Sequence, residues 1–245
     1  MKALSLASTL SLVGLLALAA DQAPQVTPAQ KTSDGKTLVI PAAEKAKGAA
    51  YYALTGRDRQ VYFESNAPLE NIKGQSNKVI GYAVMSTRTP GSVVAGEWHL
   101  PVSSMKTGID LRDEHLASKD WLNAESNPDI IFKVRETRDV RIVKAADAFT
   151  SYAATLVGDL SLHGVTKTIT IPGSTITVMN ASETTKAVAK GDLVALRSKF
   201  TVSLADYGVS HPAIGMKVAG EVSLDVSLYL ATVPPNKQDA PANRR

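Results

Sequence analysis

Over residues 218–230 the apolar side chains recur at alternate positions. Val218, Val222, Leu224, Val226, Leu228 and Leu230 share one face, interrupted by Gly220, while Glu221, Ser223, Asp225, Ser227 and Tyr229 share the other. Successive residues of a β-strand point to opposite sides, so this pattern predicts a strand with one buried and one wet face. The same alternation sets Leu156, Gly158, Leu160 and Leu162 against Val157, Asp159, Ser161 and His163, and Ile130, Phe132 and Val134 against Lys133 and Arg135. Further strands are predicted over 60–65, 77–85, 96–102, 168–178 and 193–204. Turn chemistry separates these runs at Ala67-Pro68, Thr89-Pro90-Gly91, His163-Gly164, Pro172-Gly173 and Lys190-Gly191. Strands in this number, joined mostly by short turns and with no βαβ rhythm, predict an all-β fold: a single antiparallel up-and-down β-barrel of about eight strands.

One segment departs from period two. Asp110 precedes Leu111-Arg112-Asp113-Glu114-His115-Leu116-Ala117, where Asp110 can cap a helix start and Asp113 and Glu114 place negative charge in the first turn. A short helix is predicted near 111–118, followed by a second turn over 121–125. Leu111, His115 and Leu122 are spaced to share a face, which is expected to lie against the barrel.

The two ends differ in composition from the middle. Residues 1–20 read as a signal peptide: Lys2 gives a positive start, the run from Ala3 to Ala20 is uncharged, and Ala17-Leu18-Ala19 supplies small residues near a cut. Residues 21–48 form a linker rich in Ala, Pro, Gln, Lys and Thr, with a short strand segment at 37–40; residues 49–233 form the barrel domain; residues 234–245, with three prolines, form a mobile tail. These readings place the protein in the periplasm or outside the cell with no stable membrane span. The chain has no cysteine, which excludes disulfides, thiolate metal sites, a cysteine nucleophile and a cysteine-linked lipid anchor. Its net charge of +4 is scattered rather than gathered in a stripe, so no nucleic-acid partner is expected. A homo-oligomer is compatible with the sequence.

Two stretches carry a family likeness. Arg112-Asp113-Glu114-His115-Leu116, then Trp121-Leu122-Asn123-Ala124-Glu125, Pro128 and Ile130-Ile131-Phe132, resembles the central signature of YceI-like proteins. Downstream, Gly158-Asp159-Leu160-Ser161-Leu162-His163-Gly164-Val165-Thr166-Lys167 resembles that family's strand and hairpin. The two occur in the family's order, and a weaker likeness runs over 61–230. The resemblance implies a lipocalin-like, exported barrel that holds an isoprenoid or quinone-like chain, an amphiphilic lipid ligand. The long N-terminal linker and Trp121, where phenylalanine is common, depart from the usual pattern.

The physics of the predicted inner faces is compatible with that role. They carry Val, Leu, Ile and Gly, and an eight-stranded barrel is wide enough either to be filled by side chains or to hold one small ligand. Candidate ligand-binding residues are Arg112, His115, Trp121, Leu122, Phe132, Leu160 and Leu162. Arg112 and His115 either meet the polar end of a ligand at the mouth or satisfy backbone carbonyls there, and Trp121 and Phe132 either close over an apolar chain or plug the interior. The four histidines, at 99, 115, 163 and 211, have no metal-site spacing, and His163 is read as fixing its hairpin. Ser161 near His163 is an accident of strand spacing, so no catalytic residue and no cofactor are assigned. The competing reading is an envelope interaction module, a filled barrel that engages a partner through its ends.

Overall fold

The computed structural model describes residues 30–56 and 59–235. The signal-peptide reading of residues 1–20 and most of the tail lie outside them. Ten strand segments follow in chain order: β1 (Gly48–Ala53), β2 (Val61–Asn66), β3 (Asn71–Ser76), β4 (Ile80–Ser86), β5 (Val93–Pro101), β6 (Asp129–Ala146), β7 (Phe149–Leu162), β8 (Val165–Met179), β9 (Leu193–Ser203) and β10 (Glu221–Ala231). The hydrogen-bonded order is β1-β4-β5-β6-β7-β8-β9-β10-β2-β3, with β1 also paired to β10. β1 meets the C-terminal end of β10 at Ala53↔Leu230, and β2 meets its N-terminal half at Val61↔Val226. β1 and β2 are therefore two halves of one wall strand, and β3 and β4 are two halves of the next. Ten segments make eight staves of a closed antiparallel up-and-down barrel.

The breaks in the two divided staves lie side by side and are stitched by one buried glutamine. Gln60, 3% exposed, donates from Nε2 to the Leu54 and Val79 carbonyls, both at 3.2 Å, and accepts from Val79 N–H at 2.8 Å. Its backbone N–H donates to Ser76 O, and its carbonyl accepts from Ser227 N–H. Buried backbone groups must be paired, and where the ladder lapses this side chain supplies the partners.

Several strands differ from the sequence reading, and the short strand expected at 37–40 reduces to an isolated bridge between Thr37 and Lys31. β6 and β7 run well past the predicted segments, to Ala146 and back from Phe149, as an exposed hairpin whose register shifts three times along β6. Pro172-Gly173 is not a turn: it lies within β8, where Gly173 has φ 67° and the register shifts opposite Ala154 and Leu156, the geometry of a β-bulge. The last strand begins at Glu221 rather than Val218, which instead bridges to Ile214.

Helices are few and short. α1 (Ala42–Lys45) precedes β1, α2 (Asp110–Ala117) lies between β5 and β6, and α3 (Glu183–Lys186) lies between β8 and β9. The N-cap of α2 is Ile109, without a side-chain cap, so Asp110 does not play that part. Buried Asp113 does the anchoring instead: its Oδ1 accepts from Thr107 N–H at 2.8 Å and from Thr107 Oγ1 at 2.7 Å. Burial alone would raise its pKa, but these bonds from Thr107 together with nearby Lys106 hold it below the ordinary carboxylate value. The helix turns Arg112, His115 and Leu116 to the barrel opening and leaves Leu111 62% exposed, so Leu111 is not on the packed face.

Residues 30–47 lie along the outer wall. Leu38 and Ile40 pack on Tyr82, Val84 and Ala95; Gln30 bonds Ala53 O and Gly81 N; Glu44 accepts from Tyr82 Oη at 2.7 Å. Further along, Ser33 donates to Asp129 from both its backbone N–H and its hydroxyl.

Candidate functional site

The inward positions of the staves enclose a cavity of about 510 Å³. Its wall is built by the alternation read from sequence: Leu156, Leu160 and Leu162 from β7, Leu196, Phe200 and Val202 from β9, and Val222, Leu224, Val226 and Leu228 from β10 all face it. Outward neighbours such as Asp225, Asp159 and Lys133 pair with charged partners on the surface or stand in water.

Three large rings of the wall, Phe63, Trp98 and Phe132, lie against it rather than across the bore, because glycines on neighbouring positions leave them room. A Cβ added to Gly158 would stand 2.6 Å from Phe132 Cζ; at Gly74 it would stand 2.1 Å from Phe63 Cζ, and at Gly81 2.5 Å from Trp98 Cδ1. Trp98 and Phe132 are also parallel, with centroids 6.2 Å apart. A glycine inside a strand commonly marks such a close approach. These three rings, which would otherwise plug the barrel, are thus laid flat, and the interior stays hollow.

Polar groups gather at one end, where β5 leaves, β6 enters, and the β2–β3 and β7–β8 hairpins turn. Arg112 of α2 pairs with Glu70 of the β2–β3 turn, tying helix to hairpin across the opening. Arg112 therefore meets a carboxylate, not the backbone carbonyl that one of its two readings named. His115 is exposed at the same rim; its carbonyl accepts from Ser118 N–H at the end of α2, and its imidazole has no hydrogen-bond partner among the described residues. Trp121 stacks on His211 at 4.4 Å between centroids, and His211 Nδ1 accepts from Ala213 N–H, which leaves its Nε2 as the donor. Lys217 and Asp120 complete the polar rim.

All seven candidate residues line this cavity. Arg112, His115 and Trp121 stand at its mouth, Leu122 is buried under the α2 turn, and Phe132, Leu160 and Leu162 form the wall below. Sequence reasoning missed His211, Lys217 and Glu70, which come from loops without periodicity, and the β9 wall residues, which were read as a strand but not assigned to a site. His163 holds its hairpin, with φ 53° and its Nδ1 3.0 Å from Tyr207 O.

A second polar cluster lies on the outer wall. His99, 6% exposed, has Nε2 2.9 Å from Glu97 and Nδ1 3.2 Å from Asp129, and Lys133 lies 2.8 Å from Glu97. Burial would lower the His99 pKa, but its bonds to Asp129 and Glu97 outweigh that and raise it to about 9. His99 in turn, against burial and with help from Lys133, brings Glu97 down to about 2. The imidazolium is thus one of the elements that hold the β5–β6 wall together. Among the described residues no group of His, Asp and Glu is arranged to hold a metal ion, and no helix is long and apolar enough to cross a membrane.

Comparison with known proteins converges on one family. A YceI-like domain model matches residues 52–230. A UPF0312 protein of Pseudomonas fluorescens is 32% identical over 118 residues, covering 48% of this chain and 52% of its own. A UPF0312 protein of Pseudomonas putida is 29% identical over 132 residues, covering 53% of this chain and 58% of its own. The chain thus spans little more than half the length of these curated relatives. Among solved structures, a domain of Saccharophagus degradans, described as polyisoprenoid-binding and implicated in plant cell wall breakdown, superposes with a TM-score of 0.51 at 15% identity, covering 76% of this chain and 99% of that one, and shares the fold. With a matched span that takes in both the α2 signature and the β7–β8 hairpin, the chain belongs to the YceI-like domain family.

Proposed function

We propose that this protein is an exported binding protein that holds the tail of an isoprenoid, quinone or similar amphiphile in its barrel, for transport, storage or protection under stress. The observation that carries the reading is the cavity itself: about 510 Å³, walled by aliphatic and flat-lying aromatic side chains, with its charged groups confined to one end. The description of the Saccharophagus degradans domain as polyisoprenoid-binding supports the same class of ligand. The tail occupies the bore and the polar head lies among Arg112, His115 and Lys217. The act is binding, with no chemical step.

Magnitudes agree with a single chain. At about 30 Å³ per water-sized group, the bore takes roughly seventeen heavy atoms, so a longer tail would project through the mouth. Each buried methylene contributes about 0.8 kcal/mol, so ten contribute about 8 kcal/mol before the entropic losses of association. Export is supported by the Lys2 start, the uncharged run to Ala20 and the small residues at 17–19.

Organic extraction of the purified full chain followed by mass spectrometry tests the proposal. The expected result is a stoichiometric amphiphile with one apolar tail, displaced when Leu196, in the middle of the wall, is replaced by Trp. Recovery of nothing beyond buffer components, together with failure to take up an added isoprenoid alcohol or quinone, would sink it.

A further inference from the structure

The apolar surface does not end at the mouth. Four large hydrophobic side chains are exposed on elements that frame it: Leu69 at 66%, Ile109 at 50%, Leu111 at 62% and Met216 at 54%. Leu69 sits on the β2–β3 turn and Met216 on the loop before β10, joined by the bond from Leu69 N–H to Met216 O at 3.0 Å. Ile109 and Leu111 sit at the start of α2, which the Arg112–Glu70 pair ties to the same turn. Three separate segments of chain thus present greasy tips around one opening. Their neighbours Glu70, Arg112 and Lys217 line the cavity entrance, while the four tips do not.

Charge and area say what fits this rim. Arg112 is paired with Glu70 and Lys106 with Asp113, and the other charged residues of α2 and the mouth, Asp110, Glu114 and Asp120 with Lys119 and Lys217, leave a balance of one negative charge, so the rim is close to neutral. A surface of that kind neither needs nor repels anionic lipid. At roughly 100 Å² for a fully exposed aliphatic side chain, the four tips offer about 200–250 Å², far below the roughly 800 Å² per partner of a stable protein interface. Such a patch is too small for a second copy, yet side chains of this type enter the boundary between headgroups and acyl chains one by one.

We infer that this rim docks the mouth of the barrel on the surface of an electrically neutral lipid bilayer, so that an amphiphile passes between membrane and bore without crossing water. The inference rests on the tail-in-barrel reading for its purpose, but its geometry stands on the rim residues alone. It gives the four exposed tips, which belong to none of the hydrophobic clusters of the described residues, a common task.

The test uses flotation of the full chain with phosphatidylcholine vesicles, comparing wild type, the L69D/L111D double variant, a milder L69S/L111S variant, and I142D/V143D on the exposed β6–β7 hairpin. The same four proteins are titrated in solution with cis-parinaric acid, which reports occupancy of the bore and an intact fold. Wild type and I142D/V143D are expected to float, with little change between low and molar salt. L69D/L111D is expected to lose vesicle partition by about a hundredfold, roughly tenfold per side chain, and L69S/L111S somewhat less, while both keep parinaric acid binding. Wild type that stays unbound, double variants that float as well as wild type, flotation on anionic vesicles only, or a wild-type dimer that the substitutions dissolve would each overturn the inference. Loss of parinaric acid binding in every protein, with flotation unchanged, would instead refute the tail-in-barrel reading and leave the docking surface standing.

Discussion

Replacing His99 by Gln isolates the part that the buried imidazolium plays in the barrel wall. In the folded protein His99 donates from both ring nitrogens, to Glu97 and to Asp129, and its pKa is raised from 6.5 to about 9. A group whose folded pKa lies above its unfolded one stabilises the fold fully below the unfolded value, here about 6.5, and loses that contribution as the pH rises through about 9. At 1.36 kcal/mol per pH unit the full difference corresponds to about 3 kcal/mol, which screening by solvent at the outer wall reduces to about 2 kcal/mol. Urea unfolding at about pH 6 and about pH 10 measures it: wild type should lose about 2 kcal/mol more than H99Q between the two, because glutamine keeps hydrogen-bonding capacity without titrating. Parallel stabilities of the two proteins across that window would refute the assignment of a charged His99.

Three further outcomes follow from the geometry. Glu97, held down to about 2, stabilises the fold above its unfolded value of 4.5 and loses that contribution as the pH falls toward 2, so E97Q should flatten the acid limb of a thermal melting profile relative to wild type. Gln60→Leu leaves Val79 N–H and the Leu54 carbonyl without the Gln60 partner at a buried position, with the Val79 carbonyl keeping only its bond from Thr55 Oγ1, which should cost about 3 kcal/mol in denaturant unfolding, whereas the exposed Lys78→Leu should shift stability by under about 0.5 kcal/mol. Gly158→Ala puts a methyl group 2.6 Å from Phe132 Cζ and 2.5 Å from Lys133 O, so it should destabilise the fold by about 2 kcal/mol and weaken tail binding as the ring is pushed into the bore; calorimetric melting and a parinaric acid titration read the two effects.

The barrel was legible wherever one face of a strand meets the bore and the other meets water. The 218–230 and 156–162 runs show this, since burial of one face enforces alternation. β3 was not legible: Asn71-Ile72-Lys73-Gly74-Gln75-Ser76 offers a single large apolar side chain and depends on Phe63 of β2 to cover its Gly74. The outer half of β6 was missed for a related reason. Residues 135–146 have few buried positions and several register shifts, so no period survives there. Of the candidate site, the wall leucines and Phe132 were readable from their phase along the strands. The mouth was half readable: α2 carries its own local signature, but Glu70, His211 and Lys217 reach it only through long-range packing. His99 gave no signal, because its outward phase on β5 suggests a wet residue and its burial depends on the two carboxylates beside it.

The three rings that recline on Gly74, Gly81 and Gly158 have a consequence for how such a container can change its contents. The calibre of the tube at each ring is governed from the adjoining stave, by a residue that has no side chain and need never touch the cargo. On the tail-in-barrel proposal, substitution of these glycines would narrow the bore from behind the rings, so positions that never touch a guest would help decide which guest is admitted.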